Sequence, residues 1–443
     1  MLSPNVSLFT HEVVLITSIL AFIFVLGVLV FVHELGHFLV AKKAGMKVEE
    51  FSLGYPPKAI GIKVGETEYC LSWLPLGGYV KVAGMADFGH EEAKGEPWEF
   101  QSKPRWMQMS VMIAGPFMNF LLGFLLLFGV RLAAGEYEFL NDTRIGEVQE
   151  ASPLHDAGLL PSDRILSVGS TPVGDWEEMT DAFINNMKNT VSIAVERGAD
   201  QVVLNVDLTG PPEGLGIGPY ITTEVGSTMP GMPAEEIGLL PGDIITSVAG
   251  VPVTMWWEMS REISTRPEET IEIIWMRERT QMSASITPAG QEEGEKSVGR
   301  IGINTASKRT PISFSKAFFR SGDETIRLST AIFGFVKRLV TGQESGKQLA
   351  GPVGIFQMVG QSAERGFSQL IWFMAMLSIN LGVLNLLPIP MLDGGHLLIL
   401  SIEAIARRDL SSRHKEILQQ VGFVFLLFLI IYVTFNDISR LFG

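Results

Sequence analysis

Four long apolar runs divide a chain that elsewhere alternates or mixes apolar and polar positions. A helix needs about 20 apolar residues to cross the hydrocarbon core of a bilayer. Runs near that length lie at about Val13–Val32, Met107–Leu132, Leu370–Leu387 and Val421–Phe435. The first reads as a retained span rather than a cleaved leader, because no Lys or Arg precedes it and no small-x-small site follows. Between the first two runs, Ile60–Val64 and Tyr69–Trp73 alternate around Gly65-Glu66, a β-hairpin pattern that continues through Pro75–Lys81. Between the second and third, a block repeats at a period of 80 residues: Ala157–Ile165 recurs as Ile237–Ile245, and the same offset relates Trp176 to Trp256 and Glu178 to Glu258. Each copy predicts turn, strand, short helix and strand. Two copies are too few for a solenoid, so they form two small α+β domains in tandem. Gly290–Lys296 reads as a loop in the second copy. Ser313–Val340 mixes phenylalanines with Lys316, Arg320, Arg327, Lys337 and Arg338, which suits helices lying on a membrane surface, with a soluble linker helix as the alternative.

The fold class that follows is a polytopic α-helical membrane protein, with about four transmembrane helices, a membrane-associated β-hairpin and two inserted α+β domains. Its segments are 1–40, 41–105, 106–135, 136–222, 223–308, 309–368, 369–403 and 404–443: first span, hairpin region, second span, two repeat domains, surface region, third span, and a loop with the fourth span. Hydrophobic residues at 47% against 19% charged exclude a disordered chain. The net charge of −14 is uneven: Glu136–Ser307 holds 28 acidic and 10 basic residues, the remainder 20 and 24. That balance argues against nucleic acid as a partner. Lysines 42, 43, 47, 58 and 63 follow the first run, and Arg407, Arg408, Arg413 and Lys415 precede the last. Cytoplasmic connections carry such excesses, which sends both termini and the acidic insert to the opposite face, the periplasm in a bacterium. A single cysteine, Cys70, excludes an intrachain disulfide framework and a Cys-rich metal cluster.

His33-Glu34-Leu35-Gly36-His37 carries the sharpest chemistry. On a helix, positions i and i+4 share a face, so both imidazoles reach one metal ion with Glu34 beside them. Two histidines and a glutamate at the end of an apolar span are costly in lipid, and such groups are functional by default. A catalytic zinc takes three protein ligands and keeps one position open. Asp393 is the best third ligand: Pro388 and Pro390 break the third run, and Gly394-Gly395 lets the chain turn where a lone carboxylate would face lipid. His396 is its rival, while His90, His155 and His414 lie in polar loops and read as surface residues. His₂Asp ligation also suits other divalent metals. Asn385 and Asn380 are candidates for binding a substrate backbone, since amides offer donors and acceptors. Helix–helix hydrogen bonding is the alternative for both, and close packing of the spans is the reading for Gly115 and Asn119.

The repeated Gly-Leu-Leu-Pro-Gly-Asp phrase resembles PDZ domains of bacterial proteases, which capture extended peptides or C-terminal carboxylates by strand addition. The first copy has Ser162 where the second has Gly242, so its turn is expected to be strained or rearranged. His-Glu-Leu-Gly-His in a first span, Leu-Asp-Gly-Gly in a later one and tandem PDZ units between them resemble the site-2 protease family of intramembrane zinc metalloproteases. The layout is similar to its bacterial sigma-E-regulating branch. Gly115-Pro116-Phe117-Met118-Asn119 and the Asn-x-x-Pro-x-Pro phrase before Asp393 match the family as well. The resemblance implies Zn²⁺ on His33, His37 and Asp393, with Glu34 catalytic. It also implies a re-entrant hairpin that pairs with the extended substrate, which puts Gly77, Gly78 and Tyr79 on the binding edge. Implied partners are the bilayer, peptide ligands of the PDZ units and single-pass membrane substrates, namely anti-sigma factors and remnant signal peptides. The competing class is a non-catalytic PDZ scaffold that binds envelope proteins.

Overall fold

The computed structural model describes residues 4–442 apart from 86–93, 151, 188, 210–214, 230, 294–295 and 307. His90 therefore lies outside the described residues. The chain forms two compact units, 1–134 with 312–443 and 135–311.

The first unit opens with α1 (Pro4–Lys43). Its end is a Schellman turn: Met46 N–H donates to the Ala41 carbonyl and Gly45 N–H to Lys42, with Gly45 left-handed at φ 65°. Lys42 and Lys43 in the last turn complement the helix dipole. Next come β1 (Val48–Val64), β2 (Thr67–Val82) and α2 (Arg105–Ala134). The expected hairpin is present, with Val64 opposite Thr67 and Ile60 opposite Leu71. It is also larger than expected. Both strands bend back, so residues 48–53 pair with 68–71 on one side and 78–82 on the other. The result is four segments in the order 58–64, 67–72, 48–53, 78–82, with the two outer pairs antiparallel and the central pair, 67–72 beside 48–53, running the same way. Alternation within one strand carries no sign of which distant segment will lie beside it.

The second unit runs β3 (Glu136–Tyr137), β4 (Ile145–Val148), α3 (Pro153–Asp156), β5 (Arg164–Val168), β6 (Thr171–Pro172), α4 (Trp176–Asn185), β7 (Thr190–Arg197), β8 (Asp200–Asp207) and β9 (Ile217–Pro219). The second copy follows as β10 (Val225–Thr228), α5 (Pro233–Glu236), β11 (Ile244–Val248), β12 (Val251–Pro252), α6 (Trp256–Ser264), β13 (Ile271–Arg277) and β14 (Thr280–Ile286). It ends with β15 (Ala289–Glu293), β16 (Lys296–Arg300), β17 (Ile303–Thr305) and β18 (Arg309–Thr310). The copies match strand for strand: sheets β6-β5-β7-β8 and β12-β11-β13-β14, ribbons β4-β9 and β10-β17. Separate apolar cores fill them, around Ile165, Met179, Phe183 and Ile193 in one and Ile245, Met259, Ile273 and Trp275 in the other. Residues 290–293 and 296, expected in a loop, instead belong to the paired strands β15 and β16. β18 pairs with β3, so residues 309–310 belong to this unit and not to the segment after it.

The chain returns to the first unit with α7 (Phe314–Val340), α8 (Pro352–Glu364), α9 (Phe367–Asn385), α10 (Asp393–Ala406) and α11 (Ser412–Phe442). Phe314–Val340 thus makes one continuous helix capped by Ser313, and its Leu328 and Ile332 pack on Leu127 of α2 and Ala375 and Ile379 of α9. An ion pair between Arg131 and Glu324 accompanies this contact. Among the described residues, four helical stretches are long and apolar enough to cross a membrane: Leu15–Lys43, Arg105–Ala134, Phe367–Asn385 and Arg413–Arg440. The break between α9 and α10 falls at Pro388 and Pro390, as expected, but Met391, at φ 83°, makes the left-handed turn. Gly394 and Gly395 serve close approach instead. A Cβ on either would stand 2.2–2.3 Å from the Leu387 or Ile389 carbonyl oxygen.

Candidate metal centre

α1 presents His33 and His37 one turn apart, both 8% exposed. α10 brings Asp393 to them as the first residue of its first turn, where the helix dipole favours a carboxylate. His33 Nε2 lies 3.2 Å from His37 Nε2 and 3.2 Å from Asp393 Oδ2, and His37 Nε2 lies 3.4 Å from Asp393 Oδ1. Donor atoms around a tetrahedral zinc at about 2.0–2.1 Å stand about 3.3–3.4 Å apart. The triangle of residues, with one Asp393 oxygen facing each imidazole, therefore has spacings and donor types suited to that ion. Among the described residues this is the group of three or more that can hold a metal, and His396 is not in it. His155 and His414 are exposed, beside Asp156 and Ser411 respectively.

The tautomer needed is also set in place. His37 Nδ1–H donates to the Val111 carbonyl at 2.8 Å, which leaves Nε2 with its lone pair for a cation. The Asn119 side chain faces His33 Nδ1 at 3.0 Å. Neither partner follows from sequence: a carbonyl acceptor has no signature, and Asn119 reads as packing. Its visible signals are the cost of an amide in an apolar helix and its place in the Gly115–Asn119 phrase that matches the family.

Room for the imidazoles comes from Gly115 of α2, where a Cβ would stand 2.3 Å from His37 Nε2 and 2.8 Å from His33 Cε1. Gly36 lets α2 approach α1, since its Cβ would lie 2.3 Å from the Ala114 carbonyl oxygen. The two motifs thus meet across one helix crossing.

The other expected residues divide. Asn385, at the end of α9, places Nδ2 3.4 Å from His33 Nε2, on the rim of the triangle. Asn380 lies five residues earlier on α9, about 140° around the helix axis, so the two amides do not share a face. Gly78 sits against Glu34: its missing Cβ would stand 3.2 Å from Glu34 Cγ and 2.9 Å from Val30. Gly77 takes φ 107° under the ring of Tyr55. Tyr79 stacks on Tyr55 and donates its hydroxyl to Glu50 at 2.7 Å, so it brings a ring and a backbone to this edge rather than a free hydroxyl.

Known proteins are similar to this chain over most of its length. The profile of Peptidase family M50 matches residues 21–429. A protein of Neisseria meningitidis serogroup A is 33% identical over 96% of this chain and 100% of its own length. The zinc metalloprotease RasP of Bacillus licheniformis is 32% identical over 96% and 99%, and the regulator of sigma-E protease RseP of Escherichia coli is 30% identical over 95% and 98%. A PDZ domain from Listeria monocytogenes aligns with 19% of this chain and 88% of its own at 24% identity, with a TM-score of 0.17, too small an overlap to bear on the fold. A match that spans both halves of the triangle and everything between them leaves one assignment: the chain belongs to Peptidase family M50, the site-2 class of intramembrane zinc metalloproteases.

Proposed function

We propose that the protein cuts single-pass membrane proteins within or beside their transmembrane segment, with His33, His37 and Asp393 holding zinc and Glu34 moving the protons. The observation that carries this reading is a metal-sized triangle of donors beside a glutamate and beside a strand edge. Bound zinc supplies Lewis acidity, to water and to the scissile carbonyl. Glu34, next to His33 on the helix, takes a proton from the attacking water and returns it to the leaving amine. Asn385, on the rim, orients the substrate backbone. Membership of a metalloprotease family removes the ground for the scaffold alternative.

A transmembrane helix hides its peptide bonds in its own hydrogen-bond ladder. A protease must therefore offer replacement partners once the helix is unwound. Among the described residues, segment 78–82 has no strand on its outer edge, and it begins against Glu34. A strand added there would run past the triangle with its backbone paired. The far side of the same sheet supports lipid contact: Ile60, Ile62, Val64, Leu71 and Trp73 are all exposed. The repeat units, read as PDZ domains on the periplasmic side, would exclude substrates whose ectodomains are still long. The name of one relative, a regulator of sigma-E protease, points to sigma-factor control, and the family resemblance implies anti-sigma factors and remnant signal peptides as substrates in a bacterial inner membrane.

The test is turnover of a single-pass substrate with a shortened ectodomain by purified protein in detergent, with Glu34→Gln alongside and zinc assayed in both. Cleavage by wild type alone, with about one zinc in each, is expected. Equal cleavage by the variant would remove Glu34 from the chemistry.

A further inference from the structure

We propose that Asn119 is a positioning residue for the metal centre, with its side-chain oxygen accepting the Nδ1 proton of His33 and so turning the Nε2 lone pair toward the metal. The inference rests on reading His33 as a ligand. An imidazole that binds through Nε2 must carry its proton on Nδ1, and that proton needs an acceptor. His37 has the Val111 carbonyl; the group facing Nδ1 of His33 is Asn119, at 3.0 Å.

Asn119 is fully buried, and its amide nitrogen points at His33 while its oxygen has no hydrogen-bond partner. A buried oxygen left unpaired costs about 1–3 kcal/mol. The two ends of an amide have the same shape, and the hydrogen-bond pattern decides which is which. Turned end for end, the side chain gives its oxygen to the Nδ1 proton. One rotation then gives the Nδ1 proton its acceptor and selects the metal-binding tautomer, with the amide nitrogen moving to the place the oxygen leaves.

The rest of α2 supports a built position. Gly115, one turn before, makes room for both imidazoles, and Gly123, one turn after, lets α9 approach, since a Cβ there would lie 2.5 Å from Ile379. The Asn119 carbonyl accepts the Ser378 hydroxyl at 2.7 Å, which ties this turn to the helix that ends in Asn385. A residue needed only for packing in such a helix would be leucine, of similar volume and without the cost of an amide in lipid.

The experiment compares Asn119→Leu, Asn119→Ala and Asn119→Asp in the full chain in detergent. It measures zinc affinity by chelator competition, the visible absorption of the cobalt-substituted protein, and the melting temperature of the metal-free form. Asn119→Leu and Asn119→Ala are expected to bind zinc about 10–100-fold more weakly, with a shifted cobalt spectrum. Asn119→Asp, which keeps an acceptor, should remain within a few-fold of wild type. Zinc bound by Asn119→Leu as tightly as by wild type would reduce the residue to packing. Asn119→Asp as weak as Asn119→Leu would show that the amide donates, and would overturn the proposal. His33→Ala, measured in parallel, separates a failure of the ligand reading, since its zinc affinity must fall whatever Asn119 does.

Discussion

At the scale of single residues, the centre depends as much on side chains that are missing as on those present. His33 and His37 occupy the space that a side chain at position 115 would need, and the nearest imidazole nitrogen would be 2.3 Å from its Cβ. Gly115→Ala is therefore expected to push the His37 ring out of the triangle. Displacements of about 1 Å cost on the order of 10²-fold in rate, so turnover should fall by about that factor with zinc content falling too. Metal analysis beside the activity assay checks this, and unchanged zinc would place the damage elsewhere. Ser162 shows the opposite economy. It holds φ 74° where Gly242 in the second copy holds 92°, so the expected outcome is strain rather than rearrangement, at roughly 1–2 kcal/mol for a residue with a Cβ.

At the scale of elements, the repeat is held by a clasp that recurs with it. Arg277, at the end of β13, donates to Asp243 at 2.7 Å and to the Gly238 carbonyl, as Arg197 does to Asp163 and Gly158. Burial opposes ionisation of Asp243, but Arg277 and the Leu240 amide more than offset it and hold the carboxyl below its ordinary value of 3.8. A carboxylate with a depressed folded value stabilises above the unfolded value, and that contribution is lost as pH falls through the folded one. Arg277→Met should then destabilise the second repeat unit at pH 7, because it leaves the Asp243 carboxylate without its cationic partner. The difference should shrink as the pH falls below 3.8. Hydrogen exchange of the β11 and β13 amides at both pH values reads this out, and a gap that stays constant on acidification would rule the ion pair out as the cause.

At the scale of the whole molecule, charge sets the expected topology. The acidic insert and the two basic connections should lie on opposite faces of the membrane. In a Cys70→Ser background, cysteines placed at Gly65 and Asp200 report this directly. A membrane-impermeant thiol reagent added to intact cells, with the outer membrane permeabilised, should label position 200 and spare position 65. Labelling of both, or of 65 alone, would reverse the orientation and with it the placing of the insert.

What could be read from the chain alone has local physical causes. The four candidate spans follow from runs of apolar residues, the repeat from self-similarity at 80 residues, and the grouping of His33, Glu34 and His37 from the geometry of one helical turn. Asp393 was legible because two prolines and two glycines surround a carboxylate that lipid would not tolerate. The tertiary structure alone decided which long-range neighbours complete these features. It folded the hairpin into four segments, set Gly78 against Glu34, gave Tyr79 to Glu50, and put Val111 and Asn119 behind the two imidazoles. A carbonyl, an amide and the absence of a Cβ acquire their roles only from what packs against them, and periodicity along one segment holds no record of that.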